Sequence, residues 1–401
     1  MQFNKSYRLL RFLNRPHNVV ERYLLAALGW LGALLTTRSL VLAAGLFREF
    51  RDDSFDIAFR KAARYARHLT PKLDVFNDPF FDFTMGTTAQ ERRALARLAE
   101  RSAGKFSGSM RLTDLMYIKA ANIHFALEQG EQPEAEIESY YRLADQVLAN
   151  LPEPAINKGR VREPRPPDFC RQDGVQALRD IAGILPLDQW PWYVMSGTFL
   201  GLHRENGFLG HDYDIDLGIN AEQIDVESLL ACLRKQTLFA MKKSDSHVEV
   251  IRDEKGRRQL RKQLSLIKLI HPNGLHLDIF IHYTDDGSCW HGSIIHRWEN
   301  SPFGLIRREM EGVTVNAPED ADRYLTENYG DWRTPVTDFD CTTGTPNLVV
   351  SRNFISVALF VKRLAYFCAH DPDQAGKLSR TLVQSNVLCG SPEARTMKKI
   401  I

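Results

Sequence analysis

The sequence predicts an α+β fold preceded by an all-helical N-terminal domain. From about residue 55 to 150, apolar side chains recur every three or four positions, which is the spacing of helices that bury one face. From about residue 170 onward, short apolar runs are mixed with helical stretches, as in α+β domains. Between them, residues 151–169 are rich in proline and charge and lack a periodic apolar face, which predicts an extended linker. We therefore expect domains at 1–150 and 170–401, the second ending in helices that include 354–370.

Composition narrows the class of protein. The chain has 401 residues, of which 44% are hydrophobic and 25% are charged, enough to bury a large core. Lys and Arg number 52 against 50 Asp and Glu, so the balance of charge does not indicate nucleic acid as a partner. The six cysteines are scattered without a CxxC pair, which favours a reducing compartment such as the cytoplasm and argues against zinc held by thiols.

The N-terminal segment 8–47 is basic and then apolar. Its first apolar run, 23–35, has 13 residues and is followed by a polar stretch at 36–39 that contains Arg38. A membrane-spanning helix needs about 20 apolar residues. A cleaved signal peptide fits poorly, because apolar residues continue past a short hydrophobic core. Two alternatives remain: an element lying on the inner face of a membrane, which would make the protein peripheral, or a pair of helices buried in the helical domain. The basic residues before the apolar run are Arg8, Arg11, Arg15 and Arg22.

The stretch "GFLGHDYDIDLGI" at 207–219 places Asp212, Asp214 and Asp216 at every second position of an otherwise apolar run. Side chains alternate faces along a strand, so we expect the three carboxylates on one face and the apolar side chains in the core. Carboxylates this close repel one another unless they take up protons or bind a cation. An oxygen-only cluster suits Mg²⁺ or Mn²⁺, the ions that accompany phosphate chemistry.

A calcium loop of the EF-hand type is a poor match for this stretch. The glycine that such a loop requires would fall on Leu217, and its twelfth position is Gln223 instead of glutamate. The alternation of apolar residues also belongs in a sheet.

A second alternating segment, "GLHLDIFIHY", supplies another carboxylate. Its polar face carries His276, Asp278 and His282, and its other face is aliphatic. Asp278 is the predicted third metal ligand beside Asp214 and Asp216, in the arrangement that metal-assisted phosphoryl transfer needs.

Further candidates for ligand binding lie on either side of these strands. An apolar strand at 192–195 is followed by Ser196, Gly197 and Thr198, small residues whose N–H groups at a helix start could approach a phosphate. Arg204, near the end of that helix, is a candidate for contact with a diphosphate. Lys268, within an apolar strand, needs a partner, and a phosphate or Asp278 would serve.

The stretch "SGTFLGLHRENGFLGHDYDIDLGI" resembles the motif of LicD-type and fukutin-related phosphotransferases, which have a nucleotidyltransferase fold. The Gly-Thr pair, the arginine, the Gly-Phe pair and the aspartates fall in matching places without gaps. "LHLDIFIHY" resembles the third-carboxylate strand of the family, and "YLTENYGDWRTP" at 324–335 resembles its Tyr-Gly-Asp block. The sequence departs from the pattern at Gly210-His211, where the family has Pro-Trp, and at Tyr213, where it has an aspartate.

The resemblance implies a mixed sheet with flanking helices and transfer of a phosphorylated alcohol, such as phosphocholine or ribitol phosphate. The donor would be CDP-linked and the acceptor a sugar hydroxyl of a cell-surface glycan or glycolipid, such as a polysaccharide or lipopolysaccharide. Metal held by Asp214, Asp216 and Asp278, with Asp212 as an added candidate, would bind the donor diphosphate. Asp278 or a histidine would act as base, and the candidate histidines by position are His211, His276 and His282.

Two other function classes remain open from the sequence. One is a glycosyltransferase that binds a nucleotide sugar through an Asp-x-Asp metal site. The other is a glycan-binding module without catalysis. The Gly-Thr helix and the carboxylate on a second strand argue against the first, and the presence of every expected metal ligand argues against the second.

Overall fold

A computed structural model gives the fold of the chain. It describes residues 17–52, 109–151, 170–210, 212, 214–285, 287–336, 339, 341–389, 396–399 and 401, with scattered positions between 58 and 101. The predicted linker 151–169 and most of 55–108 therefore lie outside the described residues. The chain divides into two compact units, which we call the sheet unit and the helical unit. The sheet unit comprises Met1–Phe12, Val161–His247 and Lys262–Val349, and the helical unit Leu13–Arg160, Val248–Arg261 and Val350–Ile401.

The helical unit is built from helices that bury apolar faces. Its described helices are α1 (Val19–Thr37), α2 (Leu40–Arg51), α3 (Ser109–Glu128), α4 (Glu134–Ala149), α9 (Phe354–His370) and α10 (Pro372–Gln384). The strands β11 (Leu388–Cys389) and β12 (Thr396–Met397) form a small hairpin after them.

Helices α1 and α2 form a hairpin with an uneven distribution of apolar side chains. Asn18 caps α1 and Ser39 caps α2, each by accepting a hydrogen bond from a backbone N–H of the first turn. α2 buries one face, but α1 exposes most of its large apolar residues. The alternative of two buried helices is therefore wrong for α1. By length and composition α1 is apolar enough to cross a membrane, a property it shares with buried core helices and signal sequences.

Helix α9 is mostly apolar and is buried on nearly all sides in the helical unit, including its Lys362 and Arg363. Asn353 caps it, as its side chain accepts a hydrogen bond from the N–H of Ser356. The hydroxyl of Tyr140 in α4 donates a hydrogen bond of 3.0 Å to the carbonyl of Phe354, and the two rings pack edge to face. The sequence predicts the helix at 354–370 correctly but assigns it to the domain 170–401. In the structure it groups with α3 and α4, because a helix with apolar residues on most of its sides needs partners around it.

The sheet unit is built around a mixed sheet with flanking helices, as the sequence predicts. The helices are α5 (Arg171–Ile184), α6 (Ser196–Glu205), α7 (Val226–Lys235) and α8 (Ala321–Tyr329), with a 3₁₀ turn at Ala221–Gln223. The strands are β1 (Tyr193–Val194), β2 (Asp214–Asn220), β3 (Ala240–Arg252), β4 (Arg258–Ile270), β5 (His276–Asp285), β6 (Ser288–Gly292), β7 (His296–Asn300), β8 (Leu305–Met310), β9 (Val313–Pro318) and β10 (Leu348–Val350).

The strand order places β2 and β5 side by side in the middle of the sheet. The order is β10-β7-β6-β5-β2-β1-β9-β8, with β4 paired to the first half of β5 and β3 paired to β4. β2 runs parallel to β5 and antiparallel to β1. One face of β2, with Ile215, Leu217 and Ile219, is fully buried in the core. The alternation therefore places the acidic side chains of β2 on the opposite face.

A glycine on the acidic face of β2 makes room for an aromatic ring. Tyr193 of β1 pairs with Gly218 of β2, and a Cβ at Gly218 would overlap the tyrosine ring. The ring is fully buried and packs against His282 and Phe303. The acidic face of β2 is thus closed at Gly218 and accessible only nearer Asp214 and Asp216.

Candidate active site

The structure brings together the three carboxylates that the two alternating strands predict. Asp216 of β2 lies directly beside Asp278 of β5, and Asp214 lies beside His276 one step earlier. One oxygen each of Asp214, Asp216 and Asp278 lies within 4.8 Å of the others. Asp278 is buried, and the two aspartates of β2 are half-buried. This spacing and this donor set are those of a candidate site for a hard divalent cation.

Lys268 extends this row of charges onto a third strand. In β4 it pairs with Asp278, and its Nζ forms an ion pair with Oδ2 of that residue. Burial, the largest single influence, lowers the pKa of Lys268, but the charge and hydrogen bond of Asp278 together with the charges of Asp216 and Asp214 outweigh it, so the pKa is raised. Of the two partners that the sequence suggests for this lysine, the structure shows the carboxylate.

Asp216 lies at the centre of the negative charge. Burial, followed by the charges of Asp214 and Asp278, raises the pKa of Asp216 well above its ordinary value. Lys268 offsets this effect only in part. The residues of the site therefore hold more negative charge than one lysine neutralises, which a bound cation would correct.

Asp212 does not lie on the strand with the other two aspartates. β2 begins at Asp214, so the predicted alternation fails at this one position. The carboxylate of Asp212 lies instead beside the start of α6, where a Cβ at Gly197 would be 3.3 Å from its Oδ2. It contributes to the charge around Asp216 but is not part of the cluster of three.

The start of α6 has the features of an anion-binding helix N-terminus. α6 begins at Ser196, whose φ of 49° is rare for a residue with a side chain. Met195 precedes it and provides no side-chain cap, so the first N–H groups of the helix have no capping partner from that residue. Thr198 has a structural role that the sequence does not reveal, since its Oγ1 accepts a hydrogen bond of 2.9 Å from the N–H of Asp216. This bond joins the helix to the acidic strand.

Arg204 does not join the site as the sequence suggests. It lies in the last turn of α6, about 12 Å along the helix from Ser196 at 1.5 Å per residue. Its side chain is half-exposed, and among the described residues no ion pair connects it with the carboxylates. Contact of Arg204 with a bound diphosphate therefore stays a prediction.

The three candidate histidines differ in position. His276 lies beside Asp214, with its Nδ1 3.4 Å from Nζ of Lys242. Burial, and then the charge of Lys242, lower the pKa of His276. His282 is fully buried, and burial lowers its pKa to about 4. It lies four positions beyond Asp278, about 13 Å along the strand, and His211 lies outside the described residues.

Tyr329, a residue that the sequence analysis did not select, lies within the influence of the carboxylates. Burial, and next the charge of Asp216, raise the pKa of Tyr329 well above its ordinary value. The residue ends α8 and precedes Gly330, whose φ is 69°. The resemblance of "YLTENYGDW" to the Tyr-Gly-Asp block of the family is the sequence signal from which Tyr329 could have been selected.

Comparison with known proteins agrees with this geometry. Residues 189–320 match the model of the LicD/FKTN/FKRP nucleotidyltransferase domain, a range that includes α6, β2, β4 and β5. Ribitol-5-phosphate transferase FKTN of Mus musculus is 26% identical over 165 residues, which cover 39% of this chain and 32% of the mouse protein. The protein of the same name from Homo sapiens is 24% identical over 165 residues, with the same coverage. The chain spans about a third of the length of these relatives. Residues 189–320 are thus similar to the nucleotidyltransferase domain of the LicD-type family.

Proposed function

We propose that the protein transfers a phosphorylated alcohol from a CDP-linked donor to a sugar hydroxyl of a glycan or glycolipid. The observation that carries the proposal is the convergence of Asp214, Asp216 and Asp278 on adjacent strands, beside the start of α6, where Met195 provides no side-chain cap. The similarity to this family supports transfer of this class, and the relatives are named ribitol-5-phosphate transferases. Phosphocholine and ribitol phosphate are the proposed groups.

The residues present fit Mg²⁺ or Mn²⁺. All three ligand atoms are carboxylate oxygens, and the charges of Asp214 and Asp278 add to burial in raising the pKa of Asp216, an effect that a cation between them would oppose. Asp214, Asp216 and Asp278 would hold the ion, with Asp212 nearby but outside the cluster. When bound, such an ion polarises the phosphoryl oxygens and neutralises the charge of the leaving group.

The side chains and backbone of the site have distinct proposed roles. The N–H groups at the start of α6 bind a donor phosphate, and Lys268 adds positive charge on the far side of Asp278. The acceptor oxygen attacks the phosphorus that carries the alcohol, the bond from that phosphorus to the bridging oxygen breaks, and CMP leaves. His276, beside Asp214 and neutral at physiological pH, accepts the proton of the acceptor hydroxyl.

The test is a donor panel with matched variants. The protein is incubated with glycan acceptor, Mg²⁺ or Mn²⁺, and either a CDP-alcohol (CDP-choline, CDP-ribitol or CDP-glycerol) or a UDP-sugar. We expect CMP release from one CDP-alcohol, its loss in Asp214→Asn, and unchanged release in Glu205→Gln, an exposed carboxylate on α6. Release of UDP would indicate the glycosyltransferase instead. Glycan binding without turnover of any donor would indicate the non-catalytic module.

We place the reaction on the cytoplasmic side of the cell. All six cysteines are free, which supports a reducing compartment. A glycolipid acceptor would make attachment to the inner face of the membrane useful. Fractionation of the full chain against one lacking residues 1–47 tests this attachment, and equal recovery of both in the soluble fraction would contradict it.

A further inference from the structure

The helical unit has an exposed apolar stripe along α1. The stripe consists of side chains spaced three or four residues apart, with exposed fractions between 49% and 77%: Val20, Leu24, Leu28, Leu31 and Leu35. This spacing aligns them on one face of a helix about 28 Å long. A soluble surface rarely carries so many large apolar side chains in one row, so the stripe requires a partner.

The opposite face of α1 is held against α2. Ala26, Ala33 and Thr37 are buried there, and a Cβ at Gly29 would lie only 2.6 Å from the ring of Phe50. Tyr23 packs edge to face on Phe47. One side of α1 packs against its own unit, so only the outer stripe can contact lipid. A helix with one lipid-facing side is expected to lie in the surface of a membrane and not to cross it.

An arginine-lined cavity lies at the C-terminal end of the stripe. Its volume is about 600 Å³, and it is lined by Arg38, Ser39, Ala94, Arg97 and Arg101. Arg101 donates a hydrogen bond of 3.1 Å to the carbonyl of Thr37, which orients it toward the end of α1. Within the described part of the chain, no ion pair joins these three arginines to a carboxylate. Their charge is therefore available to an anion.

Buried ion pairs fix this cavity to the hairpin. Lys61 lies 2.6 Å from Glu49 of α2 and 3.0 Å from Glu91, and Arg48 of α2 lies 2.8 Å from Glu91. Glu91 precedes Ala94 and Arg97 in a segment whose described positions are helical. The arginines are thereby held at a constant position beside the apolar stripe.

We propose that this face of the helical unit binds an anionic phospholipid surface, with a headgroup phosphate in the arginine cavity and α1 among the upper acyl chains. Guanidinium groups match the geometry of phosphate oxygens, and basic residues beside an apolar helix face are the pattern of anionic membrane binding. The inference concerns the helical unit alone and does not depend on the proposed transfer reaction.

The test is flotation of the full chain with vesicles, without donor or acceptor. Vesicles contain phosphatidylcholine alone or with about one third phosphatidylglycerol, which carries the anionic phosphate. We expect binding mainly to the anionic vesicles, weakening as salt rises from about 0.1 M to about 0.5 M. Equal binding to both compositions would overturn the proposal. Resistance to extraction by alkaline carbonate would overturn it as well, because it indicates a spanning helix.

Matched variants separate the position of the charges from their number. The triple variant Arg38→Gln, Arg97→Gln, Arg101→Gln should bind anionic vesicles roughly tenfold more weakly or worse, given the contribution of each basic residue near the surface. The control variant Arg142→Gln, Arg352→Gln, Arg380→Gln changes net charge equally on exposed sites of the same unit and should bind like the native chain. Equal behaviour of the two triple variants would refute the arginine cavity as the headgroup site.

A third variant tests the apolar stripe. Leu24→Gln, Leu28→Gln, Leu31→Gln should lose binding, whereas Val383→Gln, an exposed apolar residue on α10, should not. All substituted side chains are exposed, so circular dichroism should show unchanged folding. A native chain that ignores vesicles and forms a dimer that the leucine variant dissociates would assign the stripe to a second copy and overturn the proposal.

Discussion

Asp216 is an acidic residue at a position where burial and neighbouring carboxylates disfavour a negative charge. It is half-buried, lies directly across from Asp278 on the neighbouring strand, and follows Asp214 by two residues on the same face. Like charges opposed across paired strands destabilise a sheet. Stability is commonly reduced at functional sites in this way, where the chemistry requires groups that repel one another.

We predict that Asp216→Asn stabilises the protein without metal and removes its response to divalent cations. The amide fits the same space and carries no charge, so the free energy of unfolding should rise by about 1 kcal/mol at most, the size of a cross-strand side-chain pair interaction. In the native chain, Mg²⁺ or Mn²⁺ at about 100 times its dissociation constant should add about 2 to 3 kcal/mol. Thermal unfolding with and without cation measures both effects.

Glu205→Gln is the control for this prediction, because it removes an exposed carboxylate from α6 and should leave the cation response intact. A native chain whose melting temperature does not respond to either cation would show that Lys268 alone balances the site.

His282 makes the stability of the sheet unit sensitive to acid. Its folded pKa of about 4 lies below the ordinary value of 6.5, because the ring is buried neutral between Tyr193 and His291. Between these pH values the unfolded chain therefore binds more protons than the folded chain. The stability that the neutral ring contributes is fully present above about pH 6.5 and is lost as the pH falls toward 4.

We predict that His282→Asn reduces this acid dependence. The native chain should lose up to ~3 kcal/mol over the window, from 1.36 kcal/mol per pKa unit. The variant should be less stable at neutral pH but lose less on acidification. Urea unfolding followed by tryptophan fluorescence at several pH values gives the slopes. His370→Asn, an exposed histidine, should retain the native slope, and equal slopes for all three proteins would rule out His282 as the source.

Among the elements, α2 depends on charged side chains that are buried. Lys61 and Glu91 are each only 1% exposed, and they pair with each other and with Glu49 of α2. Gly45 of α2 provides the space, because a Cβ there would overlap the carboxylate of Glu91. The helix is thus positioned by a polar cluster whose members compensate one another.

We predict that Lys61→Met destabilises the helical unit by about 3 to 5 kcal/mol, because it leaves buried carboxylates without their cation. Chemical denaturation followed by circular dichroism measures the loss. Lys377→Met removes an exposed lysine of α10 and should change stability little. A small effect of the first substitution would mean that Arg48 compensates both glutamates.

The same elements show what can be predicted from sequence. The alternation of aspartates and aliphatic residues predicts β2 and β5 and the proximity of Asp214, Asp216 and Asp278, because the strand period fixes which side chains share a face. It fails for Asp212, since the alternation gives no signal for where a strand begins. It also misses the bond from Thr198 to β2, which depends on contacts between elements distant in sequence.

For the whole molecule, the grouping of α9 is the main difference from the sequence prediction. Periodicity identifies the helix and its apolar character, but the partners, α3 and α4, lie more than 200 residues earlier and leave no local trace. The boundaries at 150 and 170 remain a prediction. The structure shows that residues from the end of the chain, as well as from its first part, form the helical unit.

We predict that a fragment of residues 170–401 exposes α9 and self-associates. Phe354 would lose Tyr140 and Tyr141, whose rings lie 5.3 Å and 6.4 Å from its own. Light scattering and binding of a hydrophobic dye, compared with the full chain, measure the effect. A monomeric fragment that does not bind the dye would favour the domain boundary that the sequence suggests.

The hydrogen bond from the N–H of Asp216 to Thr198 has a thermodynamic consequence. It fastens the helix that would receive the donor's phosphate to the strand that would receive the cation, so a shift of one moves the other. By thermodynamic linkage, the factor by which the bound cation changes the affinity for the donor equals the factor by which the bound donor changes the affinity for the cation. Thr198→Val, which keeps the shape but not the acceptor, should leave each ligand able to bind and reduce the factor by which each changes the affinity for the other.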